Sequence, residues 1–411
     1  MKNISSNKQS GAVSLFVVIF FMLLATVVTV SFVRLMVNDQ RQATDNDLSQ
    51  SAYDSALAGV EDAKRALLQY QQDCNNAPGS CNDLARTISG ADGNGAACNV
   101  ALNGISGNGS TDEIPIQQSL SGNDAALDQA YTCVKIQLNT LDYERKLAAN
   151  QSQLVPLIAD RAFNHVLVEW FSSEDITTNG SVLDLEGVAS NGQPLYTKAN
   201  WPLNRPSLMR TQLIQFANNF TLGSFDTVSD SQTNAATMFL YPTSQQGIGE
   251  RSFTAFDLRK TDVDDEPDAK DMLTTPAPIS CLPNLGSGGY ACKAELVLPQ
   301  TVGAGSDADR TAFLRLTPFY NATNVRVTLW DGPVNLNLPT NARVKFNGVQ
   351  PAIDSTGRAN DLFRRVVSRV ELFDTSFPYP EGIEVTGNFC KDFAVTDTRY
   401  IAGTASPACN P

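Results

Sequence analysis

AVSLFVVIFFMLLATVVTVSFV, Ala12 to Val33, is a run of 22 residues with no charged side chain, no proline and no glycine. As a helix it measures about 33 Å, against a hydrocarbon core of about 30 Å. Fifteen of its residues are Leu, Ile, Val or Phe. At about −0.3 to −0.6 kcal/mol each, they favour insertion by roughly 5–9 kcal/mol. Its hydroxyls, on Ser14, Thr26, Thr29 and Ser31, can bond back to the helix backbone. The run is longer than the apolar core of a cleaved secretory signal, about 7–15 residues, and Val-Ser-Phe-Val at its end lacks a small-x-small cleavage site. The segment reads as a single transmembrane helix. Lys2 and Lys8 before it balance Arg34 and Arg41 after it, so flanking charge does not orient it.

Helical spacing continues past Arg34. Leu48, Ala52, Ala56, Gly59, Ala63, Leu67 and Tyr70 recur at steps of three or four, a narrow stripe of mostly small residues on a polar helix. Glu61 and Arg65 are spaced as an i,i+4 ion pair. No proline occurs before Pro78, so one helix is predicted over 12–72, about 90 Å long. A small-residue stripe allows close approach of another element. The spacing fits either a stalk packed on its own domain or a helix packing with copies of itself.

The rest of the chain is acidic, disulfide-bearing and β-rich. The 411 residues carry 30 Lys and Arg against 43 Asp and Glu, a net charge of −13, with no basic run, which argues against nucleic-acid binding. Eight cysteines, Cys74, Cys81, Cys98, Cys133, Cys281, Cys292, Cys390 and Cys409, form no C-x-x-C pair, and His165 is the one histidine. Disulfides in an oxidising compartment fit better than zinc. Sequence neighbours suggest Cys74–Cys81, Cys98–Cys133, Cys281–Cys292 and Cys390–Cys409, one of 105 pairings. The cysteines place the C-terminal side outside the cytoplasm.

Residues 73–130 are rich in Gly, Asn and Ser and read as a loop region tied down by bridges. From Tyr131 the pattern changes to period two. Strands are predicted at Tyr131–Leu138, His165–Phe171, Thr211–Phe216, Ala235–Tyr241, Tyr290–Leu298, Ala312–Thr317, Asn324–Trp330, Ala342–Phe346 and Arg365–Phe373. The fold class is α+β: a long N-terminal helix, then a mainly antiparallel, sandwich-like region. The acidic, proline-bearing segment Asp262–Asp271 divides a lobe at 131–261 from one at 272–411. Asp354 to Asp361 reads as a polar turn with Gly357 at an unusual backbone angle.

No nucleophile elbow, phosphate loop or zincin motif occurs, and His165 sits in an alternating strand. The chain reads as non-enzymatic, with no cofactor and no metal; the Asp262–Asp271 cluster reads as a solvated loop. Trp170 and Trp330 fall in strands as core residues, and Trp201, before Pro202, reads as exposed.

Lys8-Gln9-Ser10-Gly11-Ala12 precedes the apolar run, and Gln50 to Ala63 reads QSAYDSALAGVEDA. This order resembles type IV pilin-like proteins, in particular minor pilins of the PilX type, over residues 8–68. The resemblance implies a leader, 1–11, cut by a prepilin peptidase after Gly11, leaving Ala12 as the mature N-terminus. It implies a helix held in the membrane until assembly machinery draws it into a surface filament, where it packs among other pilin-like subunits through Phe16, Ala52, Ala56, Gly59 and Ala63. Phe16 stands where such proteins carry glutamate, a departure that favours a minor or tip subunit over a self-polymerising one. A bacterial adhesin held permanently in the membrane, outside any filament, is the alternative.

Overall fold

The computed structural model describes residues 11–77, 81, 85, 88–89, 113–116, 128–176, 183–185, 201–216, 235–244, 251–252, 277–282, 285, 289–303, 311–334 and 343–372. The expected helix is present and continues further than predicted. α1 runs Gly11–Asn76, 66 residues, about 100 Å at 1.5 Å per residue. Within its apolar part, Thr26 Oγ1 donates to the Leu23 carbonyl at 2.8 Å, Thr29 Oγ1 to Ala25 at 2.9 Å and Ser31 Oγ to Val27 at 2.8 Å. These back-bonds leave no hydroxyl of the three without an acceptor. The helix ends where Ala77 N still bonds Asp73 O and Pro78 follows, which cannot continue it.

Fifteen strands follow among the described residues: β1 (Ile114–Pro115), β2 (Gln129–Thr140), β3 (Tyr143–Leu147), β4 (Gln153–Pro156), β5 (Phe163–Ser172), β6 (Leu208–Phe216), β7 (Ala235–Thr243), β8 (Arg251–Ser252), β9 (Ala277–Ser280), β10 (Tyr290–Val302), β11 (Thr311–Phe319), β12 (Thr323–Trp330), β13 (Arg343–Val344), β14 (Phe346–Ala359) and β15 (Leu362–Arg369). The chain forms two compact units, Met1–Thr140 with Phe346–Leu372, and Leu141–Lys345 with Phe373–Pro411. The first unit is therefore interrupted by the second.

In the first unit, the C-terminal half of α1 lies on an antiparallel sheet ordered β1-β2-β14-β15. The stripe read from the sequence is the contact: Ala52, Ser55, Ala56, Gly59, Val60, Ala63, Ala66 and Leu67 are buried. The sheet answers with Val134, Ile136 and Leu138 of β2 and Ile353, Ser355 and Ala359 of β14. Two glycines set the spacing. A Cβ on Gly59 would collide with Ser355 Oγ and lie 2.9 Å from Val134 Cγ2, and a Cβ on Gly357 would collide with the helix backbone at Ala52 and Ala56. Thr140 and Phe346 are direct cross-strand partners, so the chain leaves this sheet and re-enters it at one point.

The segment Asp354–Asp361 is not the expected polar turn. Residues 346–359 form the longest strand, and Gly357 lies inside it, where the need is for space rather than for an unusual backbone angle. The turn itself is Asn360-Asp361, with Asn360 at φ +51° and Ala359 paired to Leu362. Glu61 does not pair with Arg65: Lys64 takes Glu61 at 2.6 Å and Arg65 takes Asp62 at 3.0 Å, both at i,i+3.

The second unit holds two sheets. One is ordered β13-β12-β5-β10-β8, with β3 also paired to β12; the other is ordered β4-β11-β6-β7-β9. Pairing is antiparallel except at β8–β10 and β7–β9. β5 is buried along nearly its whole length, so both of its faces are covered, and β10 and β12 pair its two edges. Trp170 Nε1 on β5 donates to Ser207 O, 3.1 Å away and next to β6, and a Cys281–Cys292 disulfide joins the end of β9 to β10. The expected lobes at 131–261 and 272–411 are not how the strands pair. β5 is flanked by β10 and β12, and β6 by β7 and β11, so strands from both sides of Asp262–Asp271 share each sheet. Backbone hydrogen bonding across the sheets outweighs order along the chain. The segment Asp262–Asp271 itself lies outside the described residues.

Gly59→Leu should lower the stability of the first unit by about 1–3 kcal/mol, the usual cost of overpacking, seen as a lower denaturant midpoint. Gly357→Ala should cost at least as much, because the obstructing atoms are backbone.

Candidate functional site

Among the described residues of the first unit, the first half of α1 stands bare. Large apolar side chains from Leu15 to Val37 leave 39–77% of their surface bare, Phe16 the most. Contact with the sheet begins only near Leu48 and Ser49, where Arg364 of β15 donates to Ser49 Oγ at 2.8 Å. Between them lies a bare polar stretch containing Asp39, Arg41, Asp45 and Asp47. One helix thus has an apolar exposed half and a polar half covered by its own sheet. It is long and apolar enough to cross a membrane. Exposed apolar area of this extent is the usual mark of a surface that meets lipid or another apolar surface.

The sequence-derived residues divide accordingly. Gly11 and Ala12 lie at the start of α1. Phe16 is available for contact with other molecules. Ala52, Ala56, Gly59 and Ala63 are not: their face is covered by β2 and β14 of the same unit. That corrects the expectation that this stripe packs with other subunits. Small side chains serve close helix–sheet approach here, the other outcome that the periodicity allowed.

The helix–sheet contact includes one polar link. Tyr131 Oη on β2 donates to Asp62 Oδ2 at 2.6 Å. Burial, then the hydrogen bond and charge of Asp62, raise the Tyr131 pKa above its ordinary value of 10.

Cys74 is joined to Cys81, just past the end of α1, and Cys281 to Cys292, both as the sequence neighbours suggested. Cys133 is also disulfide-bonded. Cys98, Cys390 and Cys409 lie outside the described residues.

In the second unit His165, Glu169 and Arg205 are engaged internally. His165 Nδ1 lies 2.6 Å from Asn164 Oδ1, with Glu295 at 3.9 Å from Nε2. Glu169, buried on β5, is met by Arg326 at 2.6 Å and Lys293 at 3.3 Å, its two cross-strand neighbours. Burial opposes the charge on Arg326, but the charge and hydrogen bond of Glu169 outweigh it and raise the guanidinium pKa. This triad, which alternation alone did not reveal, fixes the register of β5, β10 and β12. Trp170 and Trp330 are buried as expected. Trp201 is buried too, contrary to expectation: it stacks on Tyr320 at 4.5 Å and meets Tyr241 edge-on at 5.9 Å. Arg205 is inserted beside it, bonded to Asp184, Tyr241 Oη and the Pro242 carbonyl. No cluster of three or more metal-ligating side chains occurs among the described residues. Compared with known proteins, the chain matches no family model, no curated protein and no solved structure.

Two outcomes follow. Because the Tyr131 pKa is raised on folding, its contribution is present below pH 10 and lost as pH rises above that value. The stability gap between the native chain and Tyr131→Phe should narrow between pH 9 and pH 11 in urea melts. In a membrane-partition assay, Leu24→Arg should disfavour insertion by about 3 kcal/mol or more.

Proposed function

We propose that the chain is a minor or tip subunit of a type IV pilus-like filament, held in the membrane by α1 before assembly, with both β-rich units outside the cytoplasm. The observation that carries this reading is the division of α1 into a bare apolar half and a half covered by its own sheet. A permanent anchor needs only the first. The residues around Gly11 and the stretch Gln50–Ala63 add the resemblance to minor pilins. In the filament the apolar half exchanges lipid for the apolar helices of other subunits, so the same surface serves both states. Phe16 adds no charge to it, consistent with a subunit that is placed by others rather than one that polymerises alone. The two sheets of the second unit stack as a sandwich through Trp170 and the Cys281–Cys292 bridge. Its role is presentation or adhesion rather than catalysis: Glu169 is held in an ion triad and His165 is bonded within its own strand.

The test is the N-terminal mass of the mature protein from cells with and without a prepilin peptidase. A chain that begins at Ala12 only when the peptidase is present supports the filament reading. An intact N-terminus in both strains leaves a fixed membrane anchor, the adhesin alternative, in its place.

A further inference from the structure

Two bare surfaces of the first unit carry opposite charges. Beyond Val37, the exposed large apolar side chains of this unit among the described residues are Tyr53, Leu57 and Leu68 on α1 and Phe363 and Val367 on β15. Leu57 and Leu68 lie on the back of the helix, away from the seam. Asp47, Asp54 and Glu61 share that face with them, at steps of three, four and seven. Lys64 takes Glu61. Asp54 accepts from the Gln50 amide at 3.0 Å, and among the described residues no cation pairs with Asp47 or Asp54.

β15 is the edge of its sheet. β14 pairs with one side of it, and among the described residues no strand pairs with the other. An edge that also exposes Phe363, at 55%, and Val367, at 61%, is a template for another chain. The cations around it differ in their partners. Arg358 is met by Glu113 and Asp128, and Arg365 by Asp354. Arg364 meets a hydroxyl instead: Nε and Nη2 donate to Ser49 Oγ at 2.8 and 2.6 Å. Among the described residues no carboxylate pairs with it, Asp45 one turn before Ser49 included.

One copy cannot bring its own two surfaces together. Asp47 is two residues from Ser49 and points to the other side of the helix; Asp54, five residues on, is turned about 140° from it. Two copies at one depth in a bilayer are matched. Gln71 Nε2 donates to the Leu372 carbonyl at 3.0 Å, so β15 runs beside α1 from Ser49 towards the C-terminal end of the helix. Val367 stands about 10 Å past Arg364 along the strand, and Leu57 about 12 Å past Ser49 along the helix. We propose that β15 of one copy docks on the back of α1 of a second copy in the same membrane, with Arg364 in the field of Asp47 and Asp54 and Val367 on Leu57. The contact is heterologous, edge to helix. Symmetric β15–β15 pairing brings Arg364 towards the second copy's Arg364, Arg365 and Arg369, and like charges oppose it. Anionic lipid fits less well: Ser49 lies about 18 Å beyond Val37, more than a Debye length at physiological salt. An exposed ion pair is weak alone, and anchoring in one bilayer supplies the effective concentration it needs. The proposal rests on α1 lying in the membrane and needs no filament.

The test is photo-cross-linking of the full-length protein in phosphatidylcholine vesicles. Isotope-labelled copies with Val367 replaced by p-benzoylphenylalanine are mixed with unlabelled copies, and the products are mapped by mass spectrometry. Cross-links from position 367 of a labelled copy to the segment Gln42–Lys64 of an unlabelled copy are expected. Arg364→Glu should lower their yield about fivefold, as should Asp47→Lys with Asp54→Lys. The two variants mixed should restore most of it, because the reversed edge then faces the reversed helix. That recovery is one that a misfolded variant does not give. The proposal is overturned if cross-links join no two copies, if they join β15 to β15, or if they reach lipid alone. Reversed charges that leave the yield unchanged, or a mixture without recovery, overturn it as well. Protein that fails to float with the vesicles refutes the membrane reading of α1 and this contact with it; floating protein without cross-links between copies refutes this contact alone.

Discussion

Close approach between a helix and a sheet, at a seam where bulky side chains are absent, is the constraint on which the first unit depends. Gly59 meets Ser355 and Val134, and Gly357 meets the helix backbone at Ala52 and Ala56. Each glycine removes the atom that would hold the two layers apart. The dispersion gain of such a contact falls steeply with separation, so a seam of Ala and Gly at short range replaces the interdigitated Leu and Ile of a wider interface. Leu67 and Ile136, both fully buried, are the bulkier side chains of this core.

This seam also decides what the remaining surface of α1 can do. A helix of this length with one uniform character would either sink wholly into lipid or float free of it. Here the sequence changes from apolar to polar near Val37, while the seam starts only after Leu48. The sheet therefore claims nothing from the apolar half. The polar stretch between them, with Asp39, Asp45 and Asp47, is exposed and separates the apolar half from the seam. Length, polarity and small-residue spacing are three separate sequence features, and together they give one helix a bare apolar half and a half packed on its own sheet.

Much of this was legible in the sequence. α1 was readable from its hydropathy and the absence of proline, and strands such as β5, β10, β11 and β12 from alternation of apolar and polar residues. The least legible strand was β14, the one against which the helix rests. It contains Pro351, Asp354 and Gly357, and each of these weighs against a strand when read locally. Its register with β2 shifts twice, around Pro351 and beside Gly357, and the shifts accommodate what local propensity rejects. β3, with the sequence YERKL, and β9, with Pro278, were unread for similar reasons: flanking strands make them, not their own composition. The small-residue stripe was visible but its partner was not, because periodicity reports that a face is packed and not what packs on it. Arg364 was equally hidden, since only the run of β15 along α1 brings it beside Ser49.

The point at which the second unit enters the first follows from the same geometry. Thr140 and Phe346 pair directly across β2 and β14, so the first sheet needs only its two strand ends held together, and any insert whose own ends lie close will do that. The entropic cost of a long closed segment rises slowly, about 0.6 kcal/mol for each doubling of length, and a segment that folds on itself carries less of it. The seam with α1, by contrast, tolerates little change: a single methyl at Gly357 meets backbone. The small unit is thus tightly constrained where it contacts the helix and permissive at the β2–β14 end. A large β-rich unit can be carried there without altering the exposed apolar surface of the helix.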